Sequence, residues 1–295
     1  MSVSVLAPAK VNFTLEVLAR RSDGYHEIAS LIQTVALADQ LVLGEAAELS
    51  LELTGPYAAG LAGTAEANLA LLAARALAVR AGGRRGATVR LEKNVPAAMG
   101  FGGGSSDAAA VLRGLDRLWR LDASLADLTE VAAGLGSDVA FFLHGGTCLL
   151  SGRGEAVESL PDHPETPLIL LAGGPAIADK TRRMYALLDA NAFTHAERTR
   201  TAAESVRAGS GLRSDQLGNA FETCVGALAP DTLAALAACR AAGLPAQVSG
   251  SGPGIYVYGS DALDAPLAAE LAALGFAPIA TRTLARRDAL AIEES

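Results

Sequence analysis

Cysteine is scarce in this 295-residue chain, which holds only Cys148, Cys224 and Cys239. Odd in number, widely separated and without metal-ligand spacing, they exclude a disulfide framework and a zinc-type cluster, and a reducing cytoplasm is the expected location. Basic runs are missing and the formal net charge is -8, which argues against a nucleic-acid backbone as the main partner. An anionic ligand must then be held locally, by backbone amides and a few placed cations. Long apolar runs are missing too. The longest, Pro167 to Ala178, is too short to span a bilayer and is interrupted by glycines. The N-terminus lacks a charged-then-apolar leader, since Lys10 sits inside its first apolar stretch. A soluble protein with neither membrane nor nucleic acid as partner is expected. Gly 31 and Pro 12 fall short of a low-complexity composition, and no internal repeat is visible.

What is present is 51% hydrophobic content, enough for one large core or two lobes. Val11, Phe13, Leu15 and Val17 alternate with Lys10, Asn12, Thr14 and Glu16, which predicts a strand with the polar set on one face. Leu49, Leu51 and Leu53 repeat that pattern, as do Val89 and Leu91. Asn68 to Arg80 reads as a helix with Leu69, Leu72, Ala73 and Ala76 on its apolar stripe. Further helices are predicted over Ser105 to Trp119 and Leu125 to Leu135, and buried strands over Gly145 to Leu150 and Leu168 to Leu171. Ser159 to Thr166, with two prolines, is the linker candidate, dividing the chain into 1–158 and 159–295. Beyond it come helices over Lys180 to Asp189, Thr194 to Ala208 and Leu228 to Ala242, then one glycine-broken strand through Val248 to Tyr258. A final helix and strand follow. This irregular mixture predicts an α+β protein of two lobes.

Four motifs carry chemistry. Pro96-Ala97-Ala98-Met99-Gly100-Phe101-Gly102-Gly103-Gly104-Ser105-Ser106-Asp107 leads into an alanine-rich helix. Four glycines in five positions let a backbone approach a ligand closely, and a helix N-terminus offers free N–H groups to a phosphate. Ser105, Ser106 and Asp107 are capping types. The run is neither a Walker loop nor a dinucleotide fingerprint. The second motif is Ala7-Pro8-Ala9-Lys10-Val11-Asn12, notable because the chain has three lysines against 21 arginines. After it, Arg20-Arg21-Ser22-Asp23-Gly24-Tyr25-His26 turns through Asp-Gly and presents two rings, suited either to a planar base or to a capped surface turn. The third, Gly134-Leu135-Gly136-Ser137-Asp138, sets a carboxylate before an apolar stretch, as an N-cap or as a catalytic group. Val248 to Gly254 is a second glycine-serine turn, fit to pack against the first lobe or to meet an acceptor.

Taken in order, these motifs resemble the GHMP kinases, the galactokinase, homoserine, mevalonate and phosphomevalonate kinase superfamily. Within it they are most similar to the branch acting on a cytidine-diphosphate-linked methylerythritol. That likeness rests on Ala7 to Asn12, Arg21 to His26, Leu135 to Leu143 and Gly152 to Glu155, and thins beyond residue 155. It implies a ribosomal-protein-S5-like N-terminal lobe, a ferredoxin-like C-terminal lobe and an active site between them. It implies transfer of the ATP γ-phosphate to the acceptor's 2-hydroxyl. Pro96 to Ser106 would cradle the ATP phosphates, with Asn68 near the nucleoside. Lys10 and Asp138 would be the catalytic pair. Asn12, Tyr25, His26, Thr181 and Tyr185 would bind the acceptor, the two tyrosines sandwiching the cytosine and His26 reading its edge. Mg²⁺ is expected with ATP, with the Ser106 hydroxyl as a possible ligand and no metal cluster assigned. A monomer or a homodimer is expected. Phe101 stands where the family has leucine, Met99 where a small residue is common, Ser137 and Ala140 where alanine and proline flank the carboxylate, and Lys180-Thr181 where it has Ser-Thr. The competing readings are another GHMP small-molecule kinase and a non-catalytic nucleotide-binding regulator.

Overall fold

The computed structural model describes residues 1–59, 67–83 and 85–295. The predicted alternating stretch is the middle of a longer strand, β1 (Ser2–Arg20), which turns into the equally long β2 (His26–Ala46). Gly24 adopts φ +86° and the Asp23 carboxylate accepts from the Tyr25 N–H at 3.1 Å, so the Asp-Gly pair makes the reversal. Then come β3 (Leu49–Thr54), α1 (Leu69–Arg80), β4 (Gly86–Glu92), α2 (Gly103–Trp119), α3 (Leu125–Ala133), α4 (Ser137–His144), β5 (Thr147–Ser151) and β6 (Ala156–Ser159). The rest of the chain adds β7 (Pro167–Ala172), α5 (Lys180–Leu187), α6 (Glu197–Arg207), β8 (Gly218–Asn219), α7 (Pro230–Ala241), β9 (Ala246–Val248) and β10 (Ile255–Tyr258). It ends with α8 (Ala265–Ala273), β11 (Ala277–Arg282), α9 (Arg286–Ala289) and β12 (Ile292–Glu294).

Two sheets organise these elements. The first runs β12-β1-β2-β4-β3, with β5 and β6 continuing from the early part of β2 and β8 joining β1 in parallel. The second runs β11-β7-β10-β9, antiparallel throughout. Bulges after Pro8, Asn12 and Val17 bend β1, so that Val3 to Val5 pair with β12 while Thr14 and Leu15 pair with β8. The segment 160–166 carries no helix or strand, and the first sheet takes β8 and β12 from beyond it.

Three clusters of apolar side chains fill the molecule. Leu43, Leu77, Val89, Leu115 and Phe141 pack the first sheet against its helices. Ile169, Phe221, Leu236, Val257 and Leu271 pack the second sheet against α7 and α8. Val11, Phe13, Phe101, Leu170 and Tyr256 form the seam between the halves. The polar face of β1 therefore meets protein, not water: Lys10, Asn12, Thr14 and Glu16 are all 6% exposed or less. Buried polar groups in a row demand partners, and these four face the cleft and α6.

Several predicted details differ. The buried face of α1 is Ala70, Leu71, Ala73, Ala74, Leu77 and Ala78, while Leu72 is exposed. The helix is apolar nearly all round, so periodicity cannot choose its face. The predicted strand through Val248 to Tyr258 is a hairpin, with Val248 paired to Ile255 and residues 249–254 as its loop. Helix α2 starts at Gly103, and its N-cap is Gly102 at φ +77° with no capping side chain, so Ser105, Ser106 and Asp107 are inside the helix.

A buried ion cluster pins the passage from β4 to α2. Lys93, 1% exposed, donates to Asp39 of β2 and to Asp107 of α2, the latter at 2.5 Å. The other Asp39 oxygen accepts from the N–H groups of Asn94 and Val95 at 2.5 and 2.7 Å. Removing the ammonium would leave two carboxylates buried side by side. Lys93→Met is expected to destabilise the fold by about 3–5 kcal/mol, measured by urea unfolding. A loss under about 1 kcal/mol would show that the cluster does not anchor this passage.

Candidate active site

The loop between β4 and α2 is gripped from two sides. On one, the Lys10 N–H donates to the Phe101 carbonyl at 2.9 Å, tying the loop to β1. On the other, the Gly254 N–H donates to Met99 O at 3.0 Å and the Ser249 hydroxyl donates to Gly100 O at 3.0 Å. The space left is glycine-sized. A Cβ on Gly100, at φ +87°, would lie 2.0 Å from Ser249 O, and one on Gly254 would lie 2.4 Å from Met99 O. At Gly102 it would meet Phe142 Cζ at 2.8 Å and Lys10 Cγ at 2.9 Å. The glycine spacing thus serves a close crossing of the loop with β1 and the 249–254 loop. Asn219 holds the 249–254 loop from behind, donating to Val248 O and Gly250 O at 2.8 Å each.

Lys10 leaves this crossing with its side chain pointing to α4. Its ammonium donates to Asn12 Oδ1 at 2.6 Å and stands 4.0 Å from Asp138 Oδ2. Asn12 donates in turn to Ser30 Oγ at 2.8 Å, which fixes the amide so that its oxygen faces Lys10. Burial pushes the Lys10 pKa down and Asp138 pulls it back up. Asp138 lies in the first turn of α4 behind the N-cap Gly136, so it caps nothing, and its side chain keeps 39% of its exposure. A fixed cation beside a reachable carboxylate is suited to moving a proton from a hydroxyl.

The aromatic residues are arranged differently from the predicted sandwich. Tyr185 on α5 stacks on His26, with ring centroids 4.7 Å apart and planes at 16°, and meets Phe221 edge-on at 4.8 Å. Tyr25 is 56% exposed and lies under the Arg153 guanidinium, 4.8 Å from its ring centroid. Thr181, on the same helix as Tyr185, has its hydroxyl 3.1 Å from Ser251 Oγ. Asn68 is the N-cap of α1 and accepts from the Ala70 N–H at 2.9 Å. Its helix reaches the loop through Leu69, whose Cδ1 would lie 3.6 Å from a Cβ on Gly104. Reasoning from sequence missed the Asp39–Lys93–Asp107 cluster and the Asn219 prop. The scarcity of lysine was a usable signal for the first, and the family likeness of the stretch from Asn219 to Glu222 was one for the second.

The sequence profile for the GHMP kinases N terminal domain matches residues 68–146, the span holding the loop, α2 and Asp138. The 4-diphosphocytidyl-2-C-methyl-D-erythritol kinase of Bacillus cereus is 38% identical over 259 residues, covering 87% of this chain and 88% of that one. The enzyme of the same name from Bacillus mycoides is 37% identical over the same share of this chain. The chain belongs to this kinase family. A crystal structure of a 4-(cytidine 5'-diphospho)-2C-methyl-D-erythritol kinase superposes with TM-score 0.78 at 32% identity, covering 95% of this chain and 98% of that chain. Homoserine kinase from Cytophaga hutchinsonii, at TM-score 0.68 and 17% identity, covers 99% of this chain and 97% of that chain, and shares the fold. As a GHMP kinase the chain is an ATP-using small-molecule kinase. Among the described residues no helix is long and apolar enough to cross a membrane.

The crossing at Gly100 makes a direct test of the loop in this kinase. Gly100→Ala adds both a left-handed strain of about 1–2 kcal/mol and the clash with Ser249. ATP affinity is expected to fall at least about tenfold, measured by displacement of a fluorescent nucleotide. Wild-type affinity in the variant would remove the loop from the donor site.

Proposed function

We propose that this kinase transfers the γ-phosphate of ATP to the 2-hydroxyl of 4-(cytidine 5'-diphospho)-2-C-methyl-D-erythritol, in the methylerythritol phosphate route to isopentenyl diphosphate. The observation that carries the assignment of its site is the Lys10–Asp138 pair, 4.0 Å apart beside the glycine loop. Asp138 takes or orients the proton of the acceptor hydroxyl as its oxygen attacks the γ-phosphorus and ADP leaves. Lys10 holds Asp138 and the charge developing on the transferred group. The backbone N–H groups of residues 97–106, which Pro96 leads into, and the start of α2 hold the triphosphate, with Asn68 toward the nucleoside. Positioning and charge stabilisation are most of the catalysis in phosphoryl transfer, so one carboxylate and one cation suffice when the phosphates are fixed.

Mg²⁺ fits the same place. The Ser106 hydroxyl is 1% exposed, lies in the first turns of α2 and has no hydrogen-bond partner among the described residues. It is the oxygen that would hold the ion. When bound, Mg²⁺ neutralises charge on the β- and γ-oxygens.

On the acceptor side, the stack of His26 on Tyr185 offers an aromatic surface on which a base would lie. Asn12 and Thr181 would contact the acceptor, with Tyr25 closing over the base from the exposed side. Burial and the nearby Arg20 lower the His26 pKa, which keeps the imidazole neutral at pH 7 with one donor and one acceptor nitrogen. That pairing suits the polar edge of cytosine.

Two measurements test this reading. Asp138→Asn should lower kcat by about 10²–10⁴ while the ATP Kd stays within about twofold, because the carboxylate serves the acceptor. Equal losses in turnover and ATP binding would place Asp138 in the donor site. For His26, the sign follows from a pKa held below 6.5. The acceptor KM should stay flat from pH 8 down past about 6.5 and rise at lower pH as the ring protonates. The rise should be absent in His26→Gln. A pH-independent KM in the wild type would separate His26 from base recognition.

A further inference from the structure

Two of the three lysines have been placed: Lys10 faces Asp138, and Lys93 joins Asp39 to Asp107. The third, Lys180, is the first residue of α5 and turns back toward the cleft. Its ammonium donates to Ala98 O at 2.7 Å and to Gly252 O. Those carbonyls belong to different loops, the glycine loop before α2 and the loop of the β9–β10 hairpin. Both acceptors are neutral, and among the described residues no carboxylate lies within salt-bridge distance of Lys180. Burial lowers its pKa to about 8, with Lys10 adding to the effect and Asp138 opposing it, so the ammonium lies within the field of both members of the transfer pair. A half-buried cation held only by carbonyls gains most when an anion arrives.

The helix that begins at Lys180 continues to the acceptor side. Thr181 meets Ser251 of the hairpin loop, and Tyr185 stacks on His26 one turn later. One short helix therefore touches the donor loop at its first residue and the acceptor slot at its sixth.

We propose that Lys180 is a further positioning residue of this kinase, a latch that ties the acceptor-side helix to the donor loop and makes the two substrates bind cooperatively. The inference rests on the assignment of Lys10, Asp138 and residues 96–106 as the transfer site. Anion binding beside Lys180 adds the charged partner that the two carbonyls do not supply and holds α5 against the loop. That contact sets Tyr185 and Thr181 for the acceptor, and by reciprocity the acceptor tightens the nucleotide.

The test measures the affinity of a non-hydrolysable ATP analogue with and without the cytidine-diphosphate-linked acceptor, in full-length wild type, Lys180→Met and Lys180→Arg. In the wild type the acceptor should tighten the analogue about fivefold or more. In Lys180→Met that factor should fall to within about twofold of unity. Adenosine, which lacks phosphates, should bind as in the wild type, and Tm should move by less than about 4 °C. Lys180→Arg, which keeps the charge, should recover at least half of the coupling. Absence of coupling in the wild type, or its survival in Lys180→Met, overturns the proposal. Equal weakening of adenosine and the analogue overturns it as well, since the residue would then only support the fold. Asp138→Asn, assayed alongside, separates the two levels. Full turnover in that variant overturns the transfer-site assignment, whereas lost turnover with unchanged coupling in Lys180→Met overturns the latch alone.

Discussion

Residues 99–102 pass between two other backbones at contact distance, and nothing larger than glycine fits at the crossing. Gly100 lies against Ser249, Gly254 against Met99, and Gly102 against the stem of Lys10. Side chains can repack around a substitution, but backbone against backbone cannot, so this contact holds three remote segments in one fixed relation. Lys10 and Phe101 become neighbours across 91 residues of chain because the N–H of one donates to the carbonyl of the other. The cation proposed to act in transfer is thus placed by the main chain of its own residue. The C-terminal hairpin, 150 residues further on, completes the same junction through Ser249 and Gly254. A cleft built this way needs no metal cluster or disulfide to hold its walls together.

The distribution of cations follows from the same economy of space. All three lysines lie around the loop, while several arginines pair with carboxylates at the surface, as Arg80, Arg117 and Arg207 do. An ammonium is compact, carries three donors and fits between carbonyls, whereas a guanidinium needs a flat slot and a forked acceptor. Lys93 between two carboxylates is structural and tightly paired. Lys10 beside one carboxylate is paired more loosely, at 4.0 Å. Among the described residues, Lys180 has carbonyls only. The three form a gradient from fully compensated charge under the loop to uncompensated charge at the cleft, where a polyanion gains most from meeting it.

Much of this was legible in the sequence, and the parts that were not have physical reasons. Period-two alternation marked β1, while β2 went unread: residues 28–35 are buried on both faces, which erases the alternation there, although 39–43 alternate. The glycine run disclosed a closely approached loop before a helix because glycine's freedom is local chemistry. Its close approach to Ser249 and Gly254 was one of the two readings open for the second glycine-serine turn, and the backbone contact is present. Asp138 could be read as a cap or as a catalyst; Gly136 takes the cap, which leaves the carboxylate free. The glycine-serine turn near the C-terminus looked like an interruption of one strand. It is a hairpin loop, because Val248 and Ile255 face each other across it. Lys180 stood in plain view as a departure from the family's Ser-Thr pair, and only its two carbonyl partners give the departure a meaning.

The two substrate sites differ in the material that forms them. The proposed donor side is mostly main chain: amides, carbonyls and a helix terminus, a surface suited to a triphosphate. The acceptor side is side chains: His26 on Tyr185, Arg153 on Tyr25, and Asn12 held by Ser30. A fold shared with homoserine kinase at 17% identity can keep the first while the second diverges, because the backbone crossing constrains only a few glycines. Helix α5 stands where these two regimes meet. Its first residue bonds to main-chain carbonyls of the donor loop, and Tyr185 supplies a ring to the acceptor slot. A change at its N-terminus can therefore alter how the sites communicate without altering what either recognises.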